Sequence, residues 1–107
     1  MMKLPKSSGK PRKRRPLLTI RRVVGESMLP TLPPGKLVIA VAWPRPLQKE
    51  DVVIIRHGGI DKIKRVHQIA GKRLFVLGDN PRRSTDSHVF GWLDVSRVIG
   101  KVIWPRV

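Results

Sequence analysis

The apolar residues of this chain fall into short runs that prolines, glycines and charged residues separate, a pattern typical of β-strands joined by turns. Gly58-Gly59 and Gly71-Lys72 lie between such runs and are predicted as tight hairpin turns. Gly100, inside the last run, indicates a bulge or close packing. The pattern predicts strands at 17–24, 36–41, 51–56, 73–77 and 98–104.

The segment 60–69 is harder to assign, because its apolar residues recur at every third position. That spacing is not a strand alternation, and a short helix competes on pattern alone. The glycine turns on both sides favour a strand, in which Lys62, Lys64 and Val66 share one face. Lys64 then lies among apolar neighbours on a face that can turn inward.

Together these elements predict a mostly β protein with antiparallel strands in one small domain. Its 107 residues suffice for one modest core. Prolines at 5, 11 and 16 and the run Ser7-Ser8-Gly9 argue against packed structure near the start. We therefore expect a disordered basic tail over 1–16 and a single domain over 17–107.

Charge changes this picture, since the formal net charge is +16. The first 22 residues hold nine cations and no acid: Lys3, Lys6, Lys10, Arg12, Lys13, Arg14, Arg15, Arg21 and Arg22. A basic arm of this kind binds polyanions or anionic lipid surfaces non-specifically, or it is a solvated tail that contributes only solubility. The five aromatic residues are not interleaved with basic ones as a base-stacking surface requires, which argues against nucleic acid as a partner.

The sequence offers neither a membrane span nor a metal site. The longest apolar stretch near the start is 16–20, whereas a spanning helix needs about 20 residues. No apolar segment of a secretory signal follows the basic region. Cysteine is absent, and His57, His67 and His88 lack ligand spacing. We expect a cytoplasmic protein without metal or cofactor; any peripheral contact with an anionic membrane would be made through its basic tail.

Ser27 and Lys64 are the candidate catalytic pair. Ser27 follows a bend at Gly25, and a serine hydroxyl is a poor nucleophile until a base takes its proton. Lysine can be that base only when neutral, and in water its pKa near 10.4 leaves well under ~1% neutral at pH 7. Burial in an apolar site penalises the ammonium and lowers that pKa. Lowering the pKa to ~8 costs on the order of 3 kcal/mol.

Three ordered segments stand out between 23 and 104: Gly25-Glu26-Ser27-Met28-Leu29-Pro30-Thr31, Ile63-Lys64-Arg65-Val66 and Gly78-Asp79-Asn80, the last continuing to Ser84-Thr85-Asp86-Ser87. They resemble the boxes of the type I signal peptidases, Ser-Lys proteases that remove leader peptides. The resemblance implies a small coiled-sheet β fold, with Ser27 as nucleophile and Lys64 as base. It also implies that Ser84 lies beside the lysine and that Asp86 braces the loop that carries Ser84.

The chain departs from that family pattern at three positions. Gly25 stands where many bacterial members have a serine that helps to hold the oxyanion, so backbone donors, including the Ser27 N–H, must serve instead. Glu50-Asp51 replaces a Gly-Asp turn before the third strand. His88 replaces an arginine, and because neutral imidazole cannot replace a guanidinium fork, the brace to Asp86 is weakened or becomes pH-dependent.

The predicted function is a serine endopeptidase that removes an N-terminal leader peptide from a precursor protein. The run from Gly78 to Ser87 looks most like the maturation proteases of nickel-type superoxide dismutase, which makes that protein a candidate substrate. Glu26 and Met28, beside the nucleophile, are candidate substrate-binding residues.

Alternatives remain open. One is a signal peptidase at a membrane surface, which would use the basic tail and an apolar rim near Met28 and Leu29. Others are a nucleic-acid-binding protein and a non-catalytic relative. Self-cleaving SOS-response repressors share the Ser-Lys chemistry on a related fold, but they cut an Ala-Gly bond upstream of the serine. Here Ala70-Gly71 follows the lysine.

Overall fold

Strands form at all the positions where the apolar runs predict them. The computed structural model describes residues 17–42 and 46–107, so the predicted tail over 1–16 lies outside the described residues. Within the described part each strand runs antiparallel to its neighbours, which confirms the mostly β, antiparallel fold class. The strands are β1 (Leu18–Arg22), β2 (Leu37–Val41), β3 (Val52–His57), β4 (Ile60–Ala70), β5 (Arg73–Leu77), β6 (Leu93–Asp94) and β7 (Val98–Trp104).

The described strands form one open sheet in the order β1-β2-β7-β3-β4-β5-β6. The last strand in the sequence, β7, therefore lies in the middle and joins β2 to β3. β1 and β4 are not sheet neighbours, yet Arg21 on β1 donates a hydrogen bond to Asp61 on β4 at 3.0 Å. The sheet must coil to bring these strands together, and the space they enclose becomes the cleft described below.

The core lies on both faces of β3. Its consecutive apolar residues, 52–55, are all buried, as expected of a strand that is covered on each side. Alternate residues of this run belong to two different hydrophobic clusters, one on each face of β3. One cluster consists of Val23, Met28, Leu32, Val38, Ala40, Val52, Ile54 and Val102, and the other of Val53, Ile55, Val66, Leu74, Val76, Leu93 and Val98.

The ambiguous segment is a strand, and the competing helix is wrong. β4 pairs with β3 on one side and β5 on the other. A bulge between Val66 and Gln68 explains the last step of the three-residue spacing, because the extra residue brings Ile69 onto the face of Val66. Ile63 lies on the opposite face and packs against the other core cluster. At the other end, Gly58 and Gly59 have φ of +63° and +77°, which the tight β3–β4 turn requires.

The polar segment that follows β5 is more ordered than the sequence indicates. It contains a 3₁₀ turn (Pro81–Arg83) and a short helix α1 (Ser87–Phe90). Asp86 caps α1 by accepting a hydrogen bond from the His88 N–H, and Ser87 Oγ accepts one from Val76 N–H at 2.8 Å. Asp86 and Ser87 can be buried because these bonds satisfy their polar atoms.

No helix among the described residues is long and apolar enough to cross a bilayer. The longest helix named above, α1, has four residues.

Candidate active site

A cleft of about 380 Å³ opens between β1, the loop that follows it, and the hairpin of β3 and β4. Ser27 lines the cleft from the loop and Lys64 lines it from β4, so the predicted nucleophile and base face one space. Arg83 and Thr85 border the same space from the segment after β5. Residues of all three sequence segments therefore meet here, although they lie far apart along the chain.

Lys64 is buried on β4, with 3% of its surface exposed. Its partner across the sheet is Val53, and the next residue on its face is Val66; both are fully buried. Burial lowers the pKa of the Lys64 ammonium below its ordinary value, because an apolar site solvates the charge poorly. The Asp86 carboxylate opposes this effect and raises the pKa, whereas the neighbouring Lys62 lowers it.

A hydrogen-bonded chain fixes the direction of the Lys64 amine. Its Nζ donates to Oγ of Ser84 at 3.1 Å, and the Ser84 hydroxyl donates to Oδ2 of Asp86 at 2.9 Å. Since the single hydroxyl proton of Ser84 is directed at Asp86, its oxygen accepts from Lys64. When the amine is neutral, its lone pair is left for another donor, such as the hydroxyl of a nucleophile.

The Asp86 carboxylate is held from several sides. It accepts hydrogen bonds from the Gly78 N–H at 3.1 Å, from the Ser84 hydroxyl and from the His88 N–H at 3.1 Å. Burial raises the pKa of the Asp86 carboxyl, but these bonds and the charge of His88 outweigh burial and leave the pKa below its ordinary value. Asp86 therefore stays ionised over the range in which Lys64 would act.

The His88 side chain makes a single contact with Asp86. Its Nδ1 lies 3.5 Å from Asp86 Oδ1, and 72% of the side chain is exposed. The arginine that the resemblance leads one to expect would offer a two-pronged guanidinium. Here the main chain, through the His88 N–H, provides the shorter bond to Asp86.

Ser27 is held through its main chain. Gly25, two residues before it, has φ of +79°, a conformation that favours glycine. The Ser27 carbonyl accepts a hydrogen bond from the Asn80 N–H at 2.8 Å. Within residues 17–42 and 46–107, Ser27 Oγ has no hydrogen-bond partner, so no such bond joins it to Lys64. Catalytic hydrogen bonds of this kind often tighten only once substrate is bound.

Gly78 lets the serine and lysine sides of the site approach closely. A Cβ atom added to Gly78 would lie 2.6 Å from the Ser27 carbonyl oxygen and would collide with the Ser84 side chain. Such contacts are too short for any side chain. Glycine at 78 is thus required where the main chain of the nucleophile meets the residue that binds Lys64.

The two candidate substrate-binding residues occupy different places. Met28 belongs to the core and is 1% exposed, so it contributes to the floor of the cleft and not to an exposed apolar rim. Glu26 is exposed at the edge of the cleft, where its carboxylate lies 3.8 Å from Arg83. Their binding role stays a prediction.

An ion pair outside the cleft ties the three segments together, and sequence reasoning missed it. Arg65 donates to both carboxylate oxygens of Asp79, at 2.9 and 2.8 Å, and Thr31 Oγ1 donates to Asp79 at 2.6 Å. The bond from Arg65 is the main reason that the pKa of Asp79 is lowered. The sequence did hold a signal for this ion pair, because Arg65 directly follows Lys64 and Asp79 directly follows Gly78.

Glu50 adopts the turn conformation despite lacking glycine's freedom. Its φ is +77°, in the left-handed region that non-glycine residues rarely occupy. Its N–H donates to the Val66 carbonyl at 2.8 Å, and its carbonyl accepts from Arg65 at 2.9 Å. These bonds hold Glu50 in its strained conformation. The turn therefore forms at some cost in strain, although Glu50-Asp51 stands in place of Gly-Asp.

No group of three or more His, Cys, Asp or Glu side chains in the described residues is placed to hold a metal ion. The site is instead built from a hydroxyl, a buried amine and their hydrogen-bond partners. Those groups are the ones that acyl transfer to serine requires.

Comparison with known proteins identifies the family of the chain. No curated protein matches it. The family model described as Peptidase S24-like matches residues 2–103, which cover both Ser27 and Lys64. The resemblance to type I signal peptidases is a finer assignment and stays a prediction. The chain belongs to the Peptidase S24-like family and is a serine peptidase-type hydrolase.

Proposed function

We propose that the protein is a serine endopeptidase that uses a Ser27–Lys64 dyad to remove an N-terminal leader peptide from a precursor protein. One observation carries the proposal: Lys64 is 3% exposed, and it lines the same cleft as Ser27. A buried amine whose pKa is lowered is the form of lysine that can act as a general base.

The first step transfers one proton and forms one bond. The Lys64 lone pair takes the proton of the Ser27 hydroxyl, while Oγ attacks the carbonyl carbon of the scissile peptide. The carbonyl π electrons move onto oxygen, which becomes the oxyanion. With Gly25 in place of a hydroxyl residue, backbone N–H groups such as that of Ser27 stabilise the negative charge.

The second step returns the proton. The Lys64 ammonium protonates the leaving amine as the peptide C–N bond breaks, and an acyl ester on Ser27 remains. Water then attacks the ester with the neutral Lys64 again accepting a proton, and Ser27 is regenerated. Ser84 positions the amine throughout, because its oxygen accepts from an N–H of Lys64 at 3.1 Å and leaves the lone pair for the reaction.

The shape of the cleft favours an extended peptide. One wall is β1, an edge strand of the sheet that the described residues form, and the other wall is β4. A leader segment in extended conformation fits between two strands of this kind. The precursor of nickel-type superoxide dismutase is the first substrate to test, on the strength of the likeness over the segment from Gly78 to Ser87.

A membrane-surface peptidase is the second candidate, and one observation favours it. Leu18 and Ile20 on β1 are exposed, and so is Val24, which lines the cleft from the following loop. Trp104 on β7 is also exposed. Apolar and tryptophan side chains beside a basic arm are typical of surfaces that contact anionic lipid.

The decisive experiment is incubation of the purified chain with the precursor, followed by mass spectrometry of the new N-terminus. We expect cleavage by the wild type and none by Ser27→Ala or Lys64→Ala. The rate constant kcat/KM should rise with pH through the lowered pKa of Lys64, since only the neutral amine accepts a proton. Cleavage by Ser27→Ala would refute the dyad. A rising limb near pH 6.5 would implicate a histidine.

A truncated chain separates the two candidates. A variant lacking residues 1–15 keeps β1, which leads to Ser27, and we expect it to cleave a detached leader within a few-fold of the wild-type rate. Anionic vesicles at two salt concentrations form the second arm, since attraction of cations to an anionic leaflet is screened by salt. Activity that requires vesicles and disappears with the tail would favour the membrane-surface peptidase.

A further inference from the structure

A second lysine, Lys62, lies in the cleft beside Lys64. The two residues are separated by one position on β4 and therefore point to the same face of the strand. Residues so spaced have Cα atoms about 7 Å apart. Both side chains line the cleft. A second lysine at this spacing from the buried Lys64 needs a physical explanation.

The position of Lys62 is fixed by its surroundings. Its Nζ lies 3.2 Å from Nδ1 of His57, to which it donates, and 5.1 Å from the centre of the Phe90 ring. The His57 ring itself stacks on Phe90, with ring centres 4.2 Å apart. In the described part of the chain, no carboxylate forms an ion pair with Lys62. Its charge therefore remains effective toward its neighbours.

The other charged groups around Lys64 already face charged or polar partners. Asp86 reaches Lys64 through Ser84, and His88 faces the far oxygen of Asp86. The remaining acids of the cleft already face arginines: Asp61 pairs with Arg21 and Arg56, and Glu26 lies near Arg83. Arg22 donates to the carbonyl of Gly35.

Asp86 creates a conflict at this site. Its carboxylate is needed to hold Ser84, but a negative charge near Lys64 favours the ammonium, which cannot take a proton from Ser27. Desolvation favours the neutral amine, and a nearby positive charge acts in the same direction. Lys62 is the cation on the same strand face that can supply that charge.

We propose that Lys62 is a positioning residue that keeps Lys64 uncharged by balancing the negative charge of Asp86. The catalytic significance of this balance rests on the proposed function, whereas the balance itself does not. The opposite effects of Asp86, which raises the pKa of Lys64, and Lys62, which lowers it, agree with the geometry.

A charge ladder at position 62 tests the proposal. Lys62→Arg keeps the charge, Lys62→Met and Lys62→Gln remove it, and Lys62→Glu reverses it. The rising limb of kcat/KM, measured with an uncharged peptide, should stay in place for Lys62→Arg and move to higher pH by about one unit for the neutral variants. Lys62→Glu should move the limb further in the same direction. At a pH below the rising limb, a shift of the limb by one pH unit corresponds to a tenfold lower kcat/KM.

Direct titration of Lys64 makes the test independent of catalysis. The ¹³Cε resonance of Lys64 can be followed with pH in labelled Ser27→Ala protein and assigned by its loss in Lys64→Arg. The titration midpoint of Lys64 should rise across the Lys62 variants in the same order as the rising limb of kcat/KM. If no peptide is cleaved but the midpoint moves, the proposed function fails and the charge balance stands.

The matched control is Lys72→Met, which removes a lysine from the turn at the opposite end of β4. Its titration midpoint should equal that of the wild type. Equal midpoints for Lys62→Met and wild type would overturn the proposal. A shift of the same size in Lys62→Arg and Lys62→Met would also overturn it, because packing and not charge would then be responsible. Spectra that retain the native amide pattern exclude unfolding as the cause.

Discussion

The two sides of the cleft hold their reactive groups in different ways. Lys64 belongs to a strand that pairs on both sides, is buried, and donates to Ser84. Ser27 lies on a turn between β1 and β2, is only partly buried, and is held by its carbonyl through Asn80. The proposed base is thus fixed by side-chain contacts and packing, whereas the proposed nucleophile is fixed by its main chain.

This difference indicates a division of work between folding and substrate binding. Folding supplies the costly part, which is the desolvated amine, because burial of an ammonium opposes folding. The hydroxyl of Ser27 costs little to place and can be aligned when the substrate fills the cleft. Changes on the lysine side should therefore alter stability together with rate, and changes at the Ser27 hydroxyl should alter rate alone.

The largest contrast is expected between Ser27→Ala and Lys64→Met. Each should reduce kcat/KM at least about a thousandfold, because each removes one member of the dyad. Ser27→Ala should leave the midpoint of thermal unfolding unchanged. Lys64→Met should raise the midpoint, since the variant has an apolar side chain of similar length and folding no longer has to desolvate a lysine and remove its proton. For a domain of this size each kcal/mol regained corresponds to about 4–8 °C.

Calorimetry at neutral pH and at pH 10 decides this comparison. The advantage of Lys64→Met should shrink at the higher pH, because the unfolded lysine is then losing its proton and folding no longer has to remove one. Lys64→Arg is the control: guanidinium cannot deprotonate at working pH, so it should be inactive without being stabilised. A lower melting midpoint in Lys64→Met would contradict the division of work.

Gly78→Ala should have the next largest effect, because it drives the two sides apart. The added methyl group meets the Ser27 carbonyl at 2.6 Å and collides with Ser84. Displacing the nucleophile relative to the base by about 1 Å costs about a hundredfold in rate. The measurement is kcat beside a thermal melt. Gly71→Ala is the control, since a methyl group there meets nothing within 4 Å although its φ of +61° carries some strain.

Ser84→Ala should reduce kcat by about 10–100-fold and should also lower stability by a small amount. A hydrogen bond of this kind contributes about 0.5–1.5 kcal/mol net, and misplacing a base adds to the loss in rate. Asp86→Ala should reduce both rate and stability, because it also removes the acceptor for the Gly78 and His88 N–H groups. Wild-type turnover by Ser84→Ala would show that this segment is only structural.

Asp79→Asn should have the smallest effect on rate and a clear effect on stability. It breaks the pair with Arg65, worth about 1–3 kcal/mol for bonds to a charged group. Because the folded pKa of Asp79 is lowered, this stabilisation is present above the unfolded pKa near 3.9 and is lost as pH falls through the folded pKa. The gap between the variant and wild-type melting midpoints should therefore be widest near neutral pH and should narrow as the pH falls through the folded pKa of Asp79. A gap independent of pH would argue that shape and not charge is involved.

Local pattern predicted the strands well, and for β7 the predicted and observed bounds agree. The apolar neighbours of Lys64 likewise indicated its burial. Pattern did not predict that Met28 enters the core or that Asp86 is buried, because such burial depends on which distant surface covers a loop. The partners of Asp79 also escaped prediction, since Thr31 is 48 positions away and only the fold brings it near.

The place of β7 in the sheet has a consequence for synthesis of the chain. β1 and β2 lead to and from Ser27, β4 carries Lys64 and pairs with β3, and β7 is the strand that joins these two pairs. A nascent chain on the ribosome that lacks 98–104 cannot form the continuous sheet. Ser27 and Lys64 are therefore brought together only after that late strand has emerged, and the proposed activity would be delayed until translation has passed it.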